Sequence, residues 1–430
     1  MSRRYAVIGG GVLGLTLALR LSEAGHEVTV FERAETIGGL ASAWSIGDIT
    51  WDRHYHVTLG SDDHVLSLLD RLGLSDEIRW ANTRTAVYAG GRLHSVSTPL
   101  ELLRFPPLRL VDTVRLAANL AYATRIRDWR RLEAIPVATW LRRWSGRRTF
   151  DEFWKPLLES KLGEAYRETS AAFIWATVQR LTAARRHGMT DETFGYVAGG
   201  YARVFERFES VLRERGVRFQ LGAAVGRVGR SGDELTVELA GGDKQDFDAV
   251  VVTAAAPIAA RLCEGLNDEE RMRLEAIRYL GIVCPSVLVR GHLPDFYITN
   301  ITDPGLPFTG IINMSALVGP FDGHSLVYLP RYVAPTDPLF EASDAAIEDD
   351  FVAGLRRVVP SIEPDDIVAV RTSKVRAVMA LPALNYSERV PRIETSVPGL
   401  YLVSSANIIN GTLNVNETLQ LADRASELIA

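Results

Sequence analysis

The chain has 430 residues, 47% of them hydrophobic and 23% charged, with a formal net charge of −5. That length exceeds a single domain of ~150 residues, and the balance supplies a core and argues against extensive disorder. No basic surplus recruits nucleic acid, and two cysteines, Cys263 and Cys284, are too few for a disulfide framework or a Cys-based zinc site.

The first element is the apolar run Tyr5 to Ile8, the pattern of a parallel strand buried on both faces. No apolar stretch with a small-residue cleavage site precedes it, and no charge-free run of ~18–20 apolar residues follows anywhere, so a cytoplasmic location is expected. Gly9-x-Gly11-x-x-Gly14 comes next, and Leu13, Leu17 and Leu21 then recur at helical spacing up to Gly25. Val28 to Phe31 reads as a second strand ending at Glu32. The glycines stand where a dinucleotide fold needs a tight turn, backbone close to a pyrophosphate, and close helix–strand packing. The helix N-terminus offers unpaired N–H groups to phosphates, and Glu32 lies near the ~20-residue offset of an acid that binds ribose hydroxyls.

Gly38 and Gly39 follow within Glu-Arg-Ala-Glu-Thr-Ile-Gly-Gly, and Asp52-Arg53-His54-Tyr55-His56 comes after them. From about 60 to 145 the pattern reads as helical, broken by Pro99, Pro106 and Pro107. Phe153-Trp154-Lys155-Pro156 leads to Lys161-Leu162-Gly163, and Gly199-Gly200 opens a helix carrying Val204, Phe205, Phe208, Val211 and Leu212. Strands are predicted around 217–221, 223–229, 234–240 and 248–253, and shorter ones across 281–333. A helix near 343–358, a strand from Leu400 to Val403 and a helix from about 412 close the chain.

With these stretches in order, the chain resembles the flavoprotein superfamily of amine oxidases, protoporphyrinogen oxidases and phytoene-type desaturases, in its bacterial protoporphyrinogen-oxidase-like branch. The resemblance implies FAD as cofactor. Gly9, Gly11, Gly14 and Glu32 would hold its dinucleotide part, with Gly38 and Gly39 beside the pyrophosphate. The family usually has an arginine after that second glycine pair; this chain has Leu40 there and Arg33 nearby. Arg53, His54, Tyr55 and His56 would run against the flavin ring, with His54 where the family stretch usually has glycine. Val225 fits the position whose backbone faces the adenine. Ser405 stands where an aspartate is common, and Gly411, Thr412, Leu413 and Asn414 open a last helix whose N–H groups would face the flavin.

The implied fold is α/β: a discontinuous, Rossmann-like FAD-binding domain made of 1–85, 192–270 and 390–430. An α+β substrate domain would be inserted, helical over 86–191 and a mixed sheet over 271–389. The implied function is FAD-dependent oxidation or desaturation of a small or medium organic substrate by hydride transfer to flavin. A flavin-dependent isomerase without net oxidation, acting for instance on a sugar nucleotide, and a prenyl-binding carrier without catalysis are the alternatives.

For the acid–base chemistry, His54 and His56 are the first candidates, because residues i and i+2 of a strand share a face. Lys155 and Lys161 are the second, since lysine occurs at only two other positions, 244 and 374. Packing and surface ion pairing with Glu152 or Glu159 are their bland alternatives. No metal site is expected. Residues 101–148 carry eleven arginines interleaved with leucine and valine. Such a stretch is either a helical face with its solvated side showing or a peripheral contact with an anionic membrane, admitting a lipid- or nucleotide-linked substrate.

Overall fold

The N-terminal apolar run forms the strand Arg4–Ile8, buried over four of its five residues because neighbouring strands flank it on both sides. In the computed structural model, which describes residues 2–186, 193–409 and 413–430, it is the centre of a five-stranded parallel sheet. The strand order is Leu400–Leu402, Ala249–Val252, Arg4–Ile8, Glu27–Phe31, Arg218–Gln220. Three distant pieces of the chain thus build one sheet. The helices Val12–Glu23 and Val415–Ile429 pack together on one face, with Leu15, Leu17, Leu21, Leu419 and Ala422 in the core. An antiparallel three-stranded sheet, Val225–Ser231, Glu234–Leu239 and Lys244–Phe247, places Val228, Leu235 and Phe247 in a core with Ala6, Val250 and Val252.

The second body is a mixed sheet around the strand Tyr279–Arg290, buried at every position but its last. Its strands run antiparallel except Ile298–Ile301, which pairs parallel with Thr85–Ala89. The helix Asp344–Val358 packs into a core with one side of this sheet. The hairpin Ala43–Ile46/Ile49–Asp52 buries Ile46 and Trp51 against Ile282, Leu288 and Tyr328. Helices between 110 and 186 gather Trp140, Phe150 and Trp154 into a further core that includes Val87, Leu280 and Met379.

Residues 78–95 depart from the helical expectation for 60–145. Ile78–Asn82, Thr85–Ala89 and Arg92–Ser95 are strands. The turn Gly90-Gly91, with φ of +60° and +74°, closes the last pair, and Asp303 accepts both of its amides at 2.8 and 2.7 Å. These runs are too short for a period of two to stand out beside long helices, and the segment 86–191 therefore opens as sheet. Among the described residues no helix is long and apolar enough to cross a membrane.

Candidate functional site

Two glycine turns meet at the C-terminal end of the parallel sheet. Gly9 has φ +115°, and a Cβ there would lie 2.3 Å from Thr253 Oγ1; a Cβ at Gly14 would lie 1.9 Å from the Gly9 carbonyl oxygen. Gly38 donates its N–H to Gly10 O at 2.8 Å, and a Cβ on Gly39 would come within 3.1 Å of Gly11 Cα. The helix Val12–Glu23 starts at Gly11 without a side-chain cap, and the amides of Val12, Leu13 and Gly14 have no acceptor among the described residues. The arrangement leaves open N–H groups and partial positive charge for an anion that backbone, not side chains, would hold.

Glu32 fixes the adjoining edge. Its Oε2 accepts from Gly10 N at 2.7 Å and its Oε1 from Ala34 N at 2.9 Å. Its main-chain oxygen accepts from Ala223 N, so the chain from Gly222 into Val225 runs beside it. Arg33 is exposed next to it. A cradle that Cβ atoms would fill, unpaired helix amides and a carboxylate at the second strand's end together fit the dinucleotide of FAD.

The hairpin strand ends at Asp52, and residues 53–57 run on without strand pairing. His54 and His56 consequently do not share one wall, contrary to the i, i+2 expectation. His54 Nδ1 lies 3.0 Å from Leu40 O, an acceptor only, so Nδ1 carries the proton. Its Nε2 then accepts from Ser373 Oγ at 3.1 Å, and Ser373 Oγ accepts in turn from Arg53 Nε at 3.2 Å. Both ring nitrogens are committed, and burial lowers the ring's pKa to about 4. His54 thus braces Leu40, the residue after the second glycine turn. Arg53 and Arg371 both face Trp44, and burial together with the charges of Arg371 and Arg33 lowers the Arg53 pKa.

His56 has a different environment. Its Nδ1 donates to His54 O at 2.9 Å, which leaves Nε2 unprotonated and with no partner among the described residues. Its pKa is about 4, lowered by burial and then by His54. The ring sits 5.2 Å from that of Tyr201 and lines a cavity with Trp51, Asp52, Tyr196, Tyr201 and Met314.

Asp52, absent from the expected site residues, belongs to this cavity. Its Oδ1 accepts from Tyr201 N at 2.7 Å and caps the helix Gly200–Glu214; a Cβ on Gly200 would stand 2.7 Å from that oxygen. Burial pushes its carboxyl up to about 8 against the pull of that hydrogen bond. An acid ending an apolar strand directly before Arg53-His54-Tyr55-His56 was the available signal.

The two lysines part company. Lys155 pairs with Glu159 one helical turn away at 3.3 Å, a surface ion pair worth little. Lys161 Nζ instead donates to Tyr332 Oη at 2.8 Å, and Tyr332 Oη lies 3.1 Å from Tyr55 Oη. A half-buried ammonium is thereby connected through two hydroxyls to the 53–56 stretch, with no carboxylate paired to it among the described residues.

The remaining expected residues are more peripheral. Ser405 lies in a short turn capped by Ser404. Leu413 packs against two of the cores, and Asn414 Oδ1 caps the last helix by accepting from Glu417 N at 3.0 Å. Gly411 and Thr412 lie outside the described residues. Trp154 is a core residue whose indole donates to Ser145 Oγ at 3.1 Å. No cluster of three His, Cys, Asp or Glu able to hold a metal occurs among the described residues.

Comparison with known proteins agrees with this geometry. Residues 14–429 match the family described as flavin containing amine oxidoreductase. A zeta-carotene desaturase from Synechocystis sp. is 25% identical over 414 residues, 83% of each chain. A coproporphyrinogen III oxidase from Mycobacterium tuberculosis is 30% identical over 295 residues, 61% of each chain. The crystal structure of a protoporphyrinogen oxidase-like protein from Exiguobacterium sp. superposes with a TM-score of 0.79 at 17% identity, covering 100% of this chain and 99% of the other.

Proposed function

The chain belongs to the family of flavin-containing amine oxidoreductases, and on that premise we propose that it dehydrogenates a small or medium organic molecule presented at the Arg53–His56 stretch. It is an FAD-dependent oxidoreductase. The amides of Val12 to Gly14, with Gly9, Gly11, Gly38 and Gly39 keeping side chains away, would hold the pyrophosphate. Glu32 would take the ribose hydroxyls, and Arg53 to His56 would border the ring. When bound, FAD supplies a two-electron acceptor for hydride.

The chain's own residues handle the other hydrogen. Dehydrogenation breaks two bonds to hydrogen; one hydrogen leaves with its electron pair and the other leaves as a proton. His56 Nε2 is a lone pair in the cavity, kept free because Nδ1–H is tied to His54 O, and it accepts that proton. Asp52, with its pKa of about 8, stays protonated at neutral pH and adds no negative charge to the cavity. Lys161, through Tyr332 and Tyr55, orients a hydroxyl donor toward the same stretch. The electron pair would leave the protein to an external acceptor such as dioxygen. The observation that carries this reading is the 2.9 Å contact of His56 Nδ1 with the His54 carbonyl oxygen, which can only accept and so leaves Nε2 as the base.

The test is anaerobic mixing of the FAD-loaded protein with amines, porphyrinogens, isoprenoids and sugar nucleotides while the flavin absorbance is followed. One class is expected to bleach it, and His56→Ala to slow bleaching roughly 100-fold while FAD stays bound. Bleaching as fast in His56→Ala as in the parent would refute the proton assignment. Turnover that consumes no acceptor would replace dehydrogenation by isomerisation. A separate expectation concerns Glu32→Ala. Loss of a charged acceptor worth about 1.5–3 kcal/mol should weaken FAD binding about 10- to 100-fold in a calorimetric titration.

A further inference from the structure

The helix Leu110–Ala123 is turned inside out. Its buried positions are Asp112, Thr113, Leu116, Asn119 and Ala123, three of them polar, and the Asn119 Nδ2 has no hydrogen-bond partner among the described residues. Its exposed positions are apolar except Arg115: Leu110, Val111 and Val114 are 66%, 61% and 58% exposed, and Ala117, Ala118, Ala121 and Tyr122 complete the face. The preceding helix Pro99–Leu103 exposes Leu100 and Leu103, and the Tyr122 ring lies 4.2 Å from that of the similarly exposed Trp144, tilted by 30°. Seven of the eleven large apolar side chains exposed among the described residues fall between 100 and 144. So much apolar surface gathered in one place marks an interaction face rather than scattered surface residues.

Charge identifies the partner. Arg104, Arg109, Arg115 and Arg125 are exposed among these apolar side chains, and none has a carboxylate partner among the described residues. The nearby acids are occupied: Asp112 is buried and accepts from Arg109 N at 3.1 Å, and Glu101 accepts from Thr98 N at 3.0 Å. A second copy of the chain would therefore set arginine against arginine. Apolar side chains flanked by unpaired guanidinium groups match a surface that is apolar below and anionic above.

We infer that this face docks on an anionic lipid bilayer, with Leu110, Val111 and Val114 at the boundary of headgroups and acyl chains and the arginines on lipid phosphates. The face lies on the helical layer that packs on Val87, Leu280 and Met379.

The test is flotation of the full-length FAD-loaded protein with vesicles of phosphatidylglycerol and phosphatidylcholine, or of phosphatidylcholine alone. Binding to the anionic vesicles is expected at low salt, and should fall at least 10-fold on neutral vesicles or at high salt. Leu110→Glu/Val114→Glu should lose it at least 10-fold with unchanged flavin absorbance and melting temperature, because both side chains are already in water. Met272→Glu, on an exposed site elsewhere, should bind as the parent does. Absence of flotation at low salt, or undiminished flotation of the double variant, would overturn the inference. A dimer that the double variant converts to monomer, without vesicle binding by the parent, would overturn it in favour of a second copy.

Discussion

Gly14→Ala is expected to abolish FAD binding. The added Cβ would stand 1.9 Å from the Gly9 carbonyl oxygen, 3.1 Å from the Gly9 carbonyl carbon and 3.3 Å from Val7 Cγ1, all parts of the strand exit. No flexible side-chain end is available to yield, so the helix must move off the strand and the open amides of Val12 and Leu13 lose their alignment. Overpacking of this kind costs about 1–3 kcal/mol in stability, and the cofactor loss is larger because a close backbone approach is what the pyrophosphate needs. FAD affinity should drop more than 100-fold, read as flavin absorbance retained through gel filtration. Gly241→Ala is the control: a Cβ there meets nothing within 4 Å, and its melting temperature should not change.

The second large effect is on the pH dependence of folding. The Asp52 carboxyl has a pKa of about 8 in the fold against an ordinary 3.8, so between those values the unfolded chain is ionised there and the folded one is not. Unfolding then releases a proton, and stability falls as pH rises through the window, by at most about 6 kcal/mol in all. His54 and His56 act in the opposite sense. Their pKa values are about 4 against an ordinary 6.5, so their contribution is present above 6.5 and is lost as pH falls toward 4. From these three groups the cofactor-free protein should be most stable at about pH 6.5. Asp52→Asn keeps an acceptor for Tyr201 N, removes the alkaline loss and leaves the acid limb in place. Urea melts at pH 5, 6.5 and 9 check this; curves of parent and variant that stay parallel from pH 6.5 to 9 would contradict it.

The cradle was legible because Gly9, Gly14, Gly38 and Gly39 each answer a local steric demand and the elements around it carry clear periodicities. Tyr5 to Ile8, the Leu13-Leu17-Leu21 stripe and Glu32 at the end of Val28–Phe31 state the unit in sequence order. The different surroundings of His54 and His56 were not legible. They depend on where hairpin pairing stops at Asp52 and on Ser373, which is more than 300 residues away. Asp52 is hidden in the sequence for a related reason, since its cap on the helix at Gly200 exists only once distant pieces meet. The arginine-rich stretch misled in another way. Its spacing is helical, but periodicity does not say which face turns inward, and at 110–123 Asp112 and Asn119 are inside while Leu110 and Val114 are outside.

The most direct measurement is a titration of the purified protein with FAD, run in parallel on Gly14→Ala. The parent should take up one FAD per chain, with the flavin retained through gel filtration, and the variant none. A parent that stays colourless after incubation with FAD, or a variant that binds as the parent does, would contradict the assignment of the glycine cradle as the cofactor site.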